Sequence, residues 1–194
     1  MQARANYLHL WAVVPPPDLE QQIDAIRKEF SANFNAVAAL KPPVHITLYK
    51  PFSVPVPDVR KHIEKLRRWV GIQPSFHIEL KNFGFFEQKS PVAFIDVVAN
   101  AELSDLNTGI ASETKKLFGL EDRSRQQFHP HFTIGYKDIS PEVFPEVKRA
   151  YNRRPFHAGF DVKHLALFRH NGKKWELQHE LPLAANEVAQ GSLW

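Results

Sequence analysis

Apolar positions along the chain change period several times, and each change marks an element. Residues 7–14 are rich in β-formers and stop at Pro15-Pro16-Pro17, which predicts a first strand. Leu19, Ile23, Ile26, Phe30 and Phe34 then recur at near-helical spacing behind Asp18, a candidate N-cap. Pro42-Pro43 bars helix before a second strand, residues 44–49. Pro51, Pro55 and Pro57 predict a stiff, extended connection. Asp58 is placed to cap a second helix with the stripe Val59, Ile63, Leu66 and Val70.

Residues 76–85 and 92–98 read as paired strands around a turn at 87–91. A third helix is predicted over 101–117, with Leu103, Leu106, Ile110 and Leu117 inward and Gly119 as its stop. A polar loop, residues 120–128, leads to a strand over 131–136 and a short helix over 141–151. Two closing strands, 160–169 and 175–181, flank Asn171-Gly172, a strong hairpin signal. Residues 186–194 read as a loose tail. Interspersed helices, strands and hairpins predict an α+β fold with antiparallel sheets rather than a doubly wound parallel sheet.

The 194 residues fit one domain or one bilobal unit, and 15 phenylalanines among 43% apolar residues can fill its core. The formal charge of +4 permits an anionic partner without requiring one. With no cysteine, disulfides and thiolate metal sites are excluded. Eight glycines form no phosphate loop or dinucleotide fingerprint. The apolar run at 8–14 is too short for a signal peptide, and no stretch approaches the ~20 residues of a membrane span. The expectation is a soluble, cytoplasmic monomer.

The segment His45-Ile46-Thr47-Leu48 recurs as His131-Phe132-Thr133-Ile134. On a strand each histidine shares a face with its threonine, and the apolar residues enter the core. Two such strands facing each other converge two imidazoles and two hydroxyls. Histidines of ordinary pKa act as acid and base near neutral pH, and hydroxyls donate to an anion between them. The set suits in-line reaction at a phosphodiester.

This ordered pair, with Pro51-Phe52 after the first motif and Pro130 before the second, resembles the two-histidine (2H) phosphoesterases. Bacterial 2′-5′ RNA ligase-like proteins and RNA cyclic phosphodiesterases are members. The resemblance implies one bilobal domain over 1–185. It implies two antiparallel sheets with outer helices, in pseudo-twofold arrangement around a central cleft. It implies cofactor-free, metal-independent chemistry at 2′,3′-cyclic phosphates or 2′-5′ linkages of RNA or nucleotides. Carried over, His45 and His131 are the catalytic pair and Thr47 and Thr133 the phosphate-binding hydroxyls. The family suggests His131 as base and His45 as acid.

Other residues are candidates for substrate binding. Tyr49 shares the His45 face in a regular strand and could stack a base; Lys137 could meet a phosphate unless Gly135 hosts a bulge. Arg125, with Arg123, precedes the second motif and could reach a phosphate. Phe128 offers either a stacking face or a core anchor for that loop. His129 and His131 form a His-x-His pair, the basis of an alternative metal-dependent hydrolase. The other alternative is an RNA- or nucleotide-binding module that retains the motifs without useful turnover.

Overall fold

A computed structural model describes residues 5–121 and 127–185. Arg123, Arg125 and the tail 186–194 lie outside the described residues. The chain runs β1 (Asn6–Val13), α1 (Pro17–Phe34), a short 3₁₀ turn (Ala38–Leu40), β2 (Ile46–Pro55), α2 (Val56–Val70), β3 (Phe76–Phe86) and β4 (Val92–Val97). It continues through α3 (Ala101–Phe118), β5 (His131–Tyr136), α4 (Phe144–Tyr151), β6 (His157–Val162), β7 (His164–His170) and β8 (Trp175–Pro182).

Helix starts differ from expectation in one respect. Pro16 and Pro55, not Asp18 and Asp58, occupy the N-caps of α1 and α2, and neither makes a side-chain cap bond. Proline fits this end because its missing N–H would have no helical partner. Asp18 and Asp58 sit in the first turns, where a carboxylate favours the positive end of the helix dipole. In α3 the cap is conventional: Asn100 accepts from the Leu103 amide at 2.7 Å, and Gly119 closes the helix at φ 63°.

All eight strands form one antiparallel sheet in the order β6-β3-β4-β5-β2-β1-β7-β8. The expectation of two sheets is therefore corrected. The halves β6-β3-β4-β5 and β2-β1-β7-β8 are joined where Ile46 pairs with Phe132. The predicted closing strand over 160–169 is in fact two strands that part at Lys163. β6 pairs with β3 on one edge, and β7 pairs with β1 in the other half. Those strands stand six positions apart in the sheet, about 29 Å in a flat one. One linking residue spans about 7 Å. The sheet must therefore curl strongly.

Helices α1, α2 and α3 pack on one face of this sheet, over β5, β2 and β8. Ile46, Leu48, Phe132 and Ile134 are buried beneath them in the main core with Ile23, Phe30, Leu66 and Leu103. Burial of each such large side chain contributes about 1.5–3 kcal/mol. A second cluster, Leu10, Ala12, Ala166 and Phe168, lies apart from that core. None of the helices among the described residues is long and apolar enough to cross a membrane.

Candidate active site

β2 and β5 lie side by side at the middle of the sheet, antiparallel, with Ile46 opposite Phe132. Extending that register by one residue each way sets Thr47 across from His131 and His45 across from Thr133. Because Ile46 and Phe132 are buried under the helices, the two histidines and two threonines share the opposite face. The motifs thus meet, as the repeat predicts. His45 directly precedes β2, and His131 opens β5.

Both histidines are held in the same way. Nδ1 of His45 donates to the Pro43 carbonyl and Nδ1 of His131 to the His129 carbonyl, each at 2.7 Å. A carbonyl only accepts, so each Nδ1 carries a hydrogen. In the neutral ring, Nε2 is then the basic nitrogen; in the cation it is the remaining acid. Two residues sharing this tautomer form the chemical basis of an acid–base pair.

Both pKa values lie below the usual histidine value. For His45 the main cause is burial, opposed by the Pro43 hydrogen bond; Arg27 and His131 lower it further. For His131 burial again dominates, opposed by its bond to His129 and by Asp96. Its ring centroid lies 4.9 Å from that of Phe94 and 5.3 Å from that of Phe86, an apolar wall that disfavours the cation.

Each histidine has a second supporting group that sequence reasoning missed. Arg27, 3% exposed, donates from Nη2 to the Pro42 carbonyl at 2.7 Å and so ties down the segment that holds His45. Asp96 pairs with His131 across β4 and β5, and its carboxylate binds Nε2 of His129 at 3.0 Å. His129 therefore has a positioning role: its ring is held by Asp96, and its carbonyl holds His131. Among the described residues no three His, Cys, Asp or Glu side chains gather as a metal site. Arg27 sits on the buried stripe of α1 where an apolar residue is the rule, which is a visible signal. Asp96 gives none, because strand register cannot be read from the chain.

Two cavities flank the motifs and share Thr47. One, of about 500 Å³, is bordered by His45, Thr47, Thr133, Tyr136 and Lys137. The other, of about 750 Å³, is bordered by Thr47, Lys50, Lys115, Phe128 and His131. Lys137 is thus at the site, with φ 67° and its ammonium 5.2 Å from the Tyr136 ring centre. Phe128 is half-buried and packed against the main core, so it anchors its loop while walling the second cavity.

Tyr49 corrects the alternation argument. Trp11 pairs with Tyr49 and Ala12 with Thr47, so Leu48 is an extra residue on β2. In β5, Phe94 pairs with Thr133 and Ala93 with Gly135, so Ile134 is the extra one. The register slips at the fourth residue of each motif, and both next residues, Tyr49 and Gly135, are buried. Tyr49 packs on Phe52, with ring centroids 5.7 Å apart, and borders the second cavity, with Thr47 and His131, rather than the one beside His45. Tyr136, which strict alternation turns away, comes to the cavity instead. Gly135 is required here: a Cβ would lie 2.3 Å from the Phe30 ring.

Comparison with known proteins agrees with this fold. The TT0787 structure of Thermus thermophilus superposes with a TM-score of 0.69 at 18% identity, covering 93% of this chain and 99% of that one. E. coli LigT in apo form gives a TM-score of 0.64 at 20% identity, with the same coverage. These likenesses establish the fold. A Staphylococcus aureus (strain Newman) protein, provisionally named a phosphoesterase, is 23% identical over 136 residues, covering 70% of this chain and 74% of its own. The model of the 2′-5′ RNA ligase superfamily matches residues 15–174, which include both motifs and every strand between them. The chain belongs to the 2′-5′ RNA ligase superfamily.

Proposed function

We propose that the protein is a phosphoesterase acting on 2′,3′-cyclic or 2′-5′ phosphodiesters of RNA or nucleotides. His45 and His131 supply its acid and base. The observation that carries this reading is the matched pair of Nδ1-to-carbonyl bonds, which leaves Nε2 of both histidines for proton transfer on the Thr47 and Thr133 face. Family membership supports it, as does the binding of 3′-AMP and of phosphate by E. coli LigT, whose fold this chain shares.

In hydrolysis of a cyclic phosphate, water attacks phosphorus in line with the departing ribose oxygen. Nε2 of one histidine, His131 in the family-based assignment, takes the water proton. Nε2 of the other, His45, delivers a proton as the phosphorus–oxygen bond breaks. One ring gains a proton and the other loses one, so a second exchange with solvent resets the pair. Thr47 and Thr133 donate to the non-bridging oxygens, whose charge grows in the transition state.

The test is incubation of a short RNA ending in a 2′,3′-cyclic phosphate with wild-type protein, His45→Ala and His131→Ala, all in excess EDTA. Each catalytic group contributes ~10²–10⁴-fold, so both variants should lose most turnover while keeping the fold by circular dichroism. A single monophosphate isomer is the expected product. Turnover by either variant at the wild-type rate would sink the assignment. Tight binding without product would favour the binding module, and loss of wild-type turnover in EDTA a metal-dependent enzyme.

A further inference from the structure

The cavity beside His45 extends well past the motif residues, to the β7–β8 hairpin. Its far end is made by Leu8, Leu10, His170, Lys173, Lys174 and Trp175. Leu8 is 44% exposed although apolar, and Leu10 belongs to the small core cluster that Trp175 packs against. The Trp175 ring is half-buried and meets the His170 ring edge-on, with centroids 5.2 Å apart. Together they form an aromatic and aliphatic floor that continues from the reacting face.

The rim is built as firmly as the floor. The Asn171 side chain accepts from the amides of Lys173 and Lys174 at 2.9 and 3.0 Å. The Asn171 amide donates to the Lys174 carbonyl at 3.0 Å, and Gly172 takes φ 97°. Glu176, the nearby carboxylate, is engaged by Asn171 and Arg169 rather than by the lysines. Lys41 and Lys137 border the same cavity, and no Asp or Glu does among the described residues. Four ammonium groups thus exceed what one phosphodiester monoanion at Thr47 requires.

The geometry points to a second nucleotide subsite here, holding a base on Trp175 and its phosphate between Lys173 and Lys174. An aromatic face beside cations is the chemistry of single-stranded nucleic-acid binding. The occupant is the neighbouring nucleotide of an oligonucleotide substrate whose reacting phosphorus lies at Thr47. A single cyclic nucleotide has no second phosphate to offer this rim. The inference rests on the phosphoesterase reading, which it deepens by favouring oligonucleotides over mononucleotides.

Two measurements test it. The first is anisotropy of a 5′-labelled RNA hexamer bearing a 3′-phosphate, which needs no turnover. Lys173→Glu/Lys174→Glu should weaken binding at least tenfold in 0.1 M salt. It should also reduce the log–log salt slope by about 0.7, the loss of one single-strand phosphate contact. Trp175→Ala should weaken it about 5- to 150-fold, and Trp175→Phe should restore most of the loss. The second is the ratio of kcat/KM for a cyclic-phosphate hexamer to that for adenosine 2′,3′-cyclic phosphate, which should fall at least tenfold in the lysine variant.

Equal losses on the two substrates would overturn the subsite, since the lysines would then act at the reacting phosphate. Hexamer binding by the lysine variant as tight as wild type would overturn it too. Wild type that opens the mononucleotide but does not bind the hexamer also removes the subsite, and leaves the phosphoesterase reading standing. Wild type that binds the hexamer through these residues but turns over neither substrate supports the subsite and strikes the phosphoesterase reading instead.

Discussion

Replacing Arg27 with Met should damage chemistry more than binding, through a chain of contacts that ends at His45. The guanidinium is 3% exposed and donates to the Pro42 carbonyl at 2.7 Å; its nearest acid, Asp24, is 3.7 Å away. A hydrogen bond from a charged donor contributes ~1.5–3 kcal/mol. Part of that is offset in the variant, because a buried charge costs desolvation and Nε has no partner among the described residues. A net loss of about 1–2 kcal/mol is expected, or ~2–8 °C in Tm for a domain of this size. The larger effect follows from the freed Pro42-Pro43 segment, whose Pro43 carbonyl orients the His45 ring. Misplacement by about 1 Å can cost ~10²-fold in rate, so kcat on a 2′,3′-cyclic mononucleotide should fall by about 10- to 100-fold with a smaller change in KM. Removing the cation also relieves one of the influences that lower the His45 pKa, so it should rise. Proton NMR of the His45 ring reads that shift without any substrate. Arg27→Lys keeps the charge and should keep the wild-type titration. An Arg27→Met protein with a lower Tm but unchanged kcat and an unchanged His45 titration would refute the coupling, leaving Arg27 as a buried core ion.

His45 and His131, the proposed acid and base, have pKa values below the ordinary 6.5, mainly through burial. A free base and a charged acid therefore coexist best below pH 6.5, and the bell in kcat/KM should peak there and decline through neutrality; a maximum at about pH 8 would refute that. Gly135→Ala would press a Cβ within 2.3 Å of the fully buried Phe30 ring. Overpacking of this kind costs about 1–3 kcal/mol, so thermal melting should show a drop of several degrees, and an unchanged Tm would mean that α1 yields at no cost.

Much of this molecule was legible in its chain because periodicity reports burial. The α2 stripe, Val59, Ile63, Leu66 and Val70, is buried as its spacing predicts, and β5 spans the predicted residues. The shared face of the histidines and threonines follows from the period of a strand. What escaped was set by partners far along the sequence. The Leu48 and Ile134 register slips exist only relative to β1 and β4, so Tyr136, which strict alternation turns away, comes to the cavity beside His45. The single strand predicted over 160–169 hides the break at Lys163, since both flanking strands are β-forming and only their pairing differs. The supports of the histidines, Arg27 and Asp96, lie in other elements, and the hairpin signal at Asn171-Gly172 announced a turn but not the cavity beneath it.

The one-residue junction between β6 and β7 also has a mechanical meaning. Each strand is zipped along its length to a different half of the sheet, and Lys163 leaves no slack between them. A hinge at the Ile46–Phe132 seam is therefore braced by a covalent strut elsewhere on the perimeter. Swinging the halves apart like a book would tear a strand from its neighbour. The spacing of the two motif strands is in consequence held by the covalent path around the sheet as well as by the Ile46–Phe132 seam.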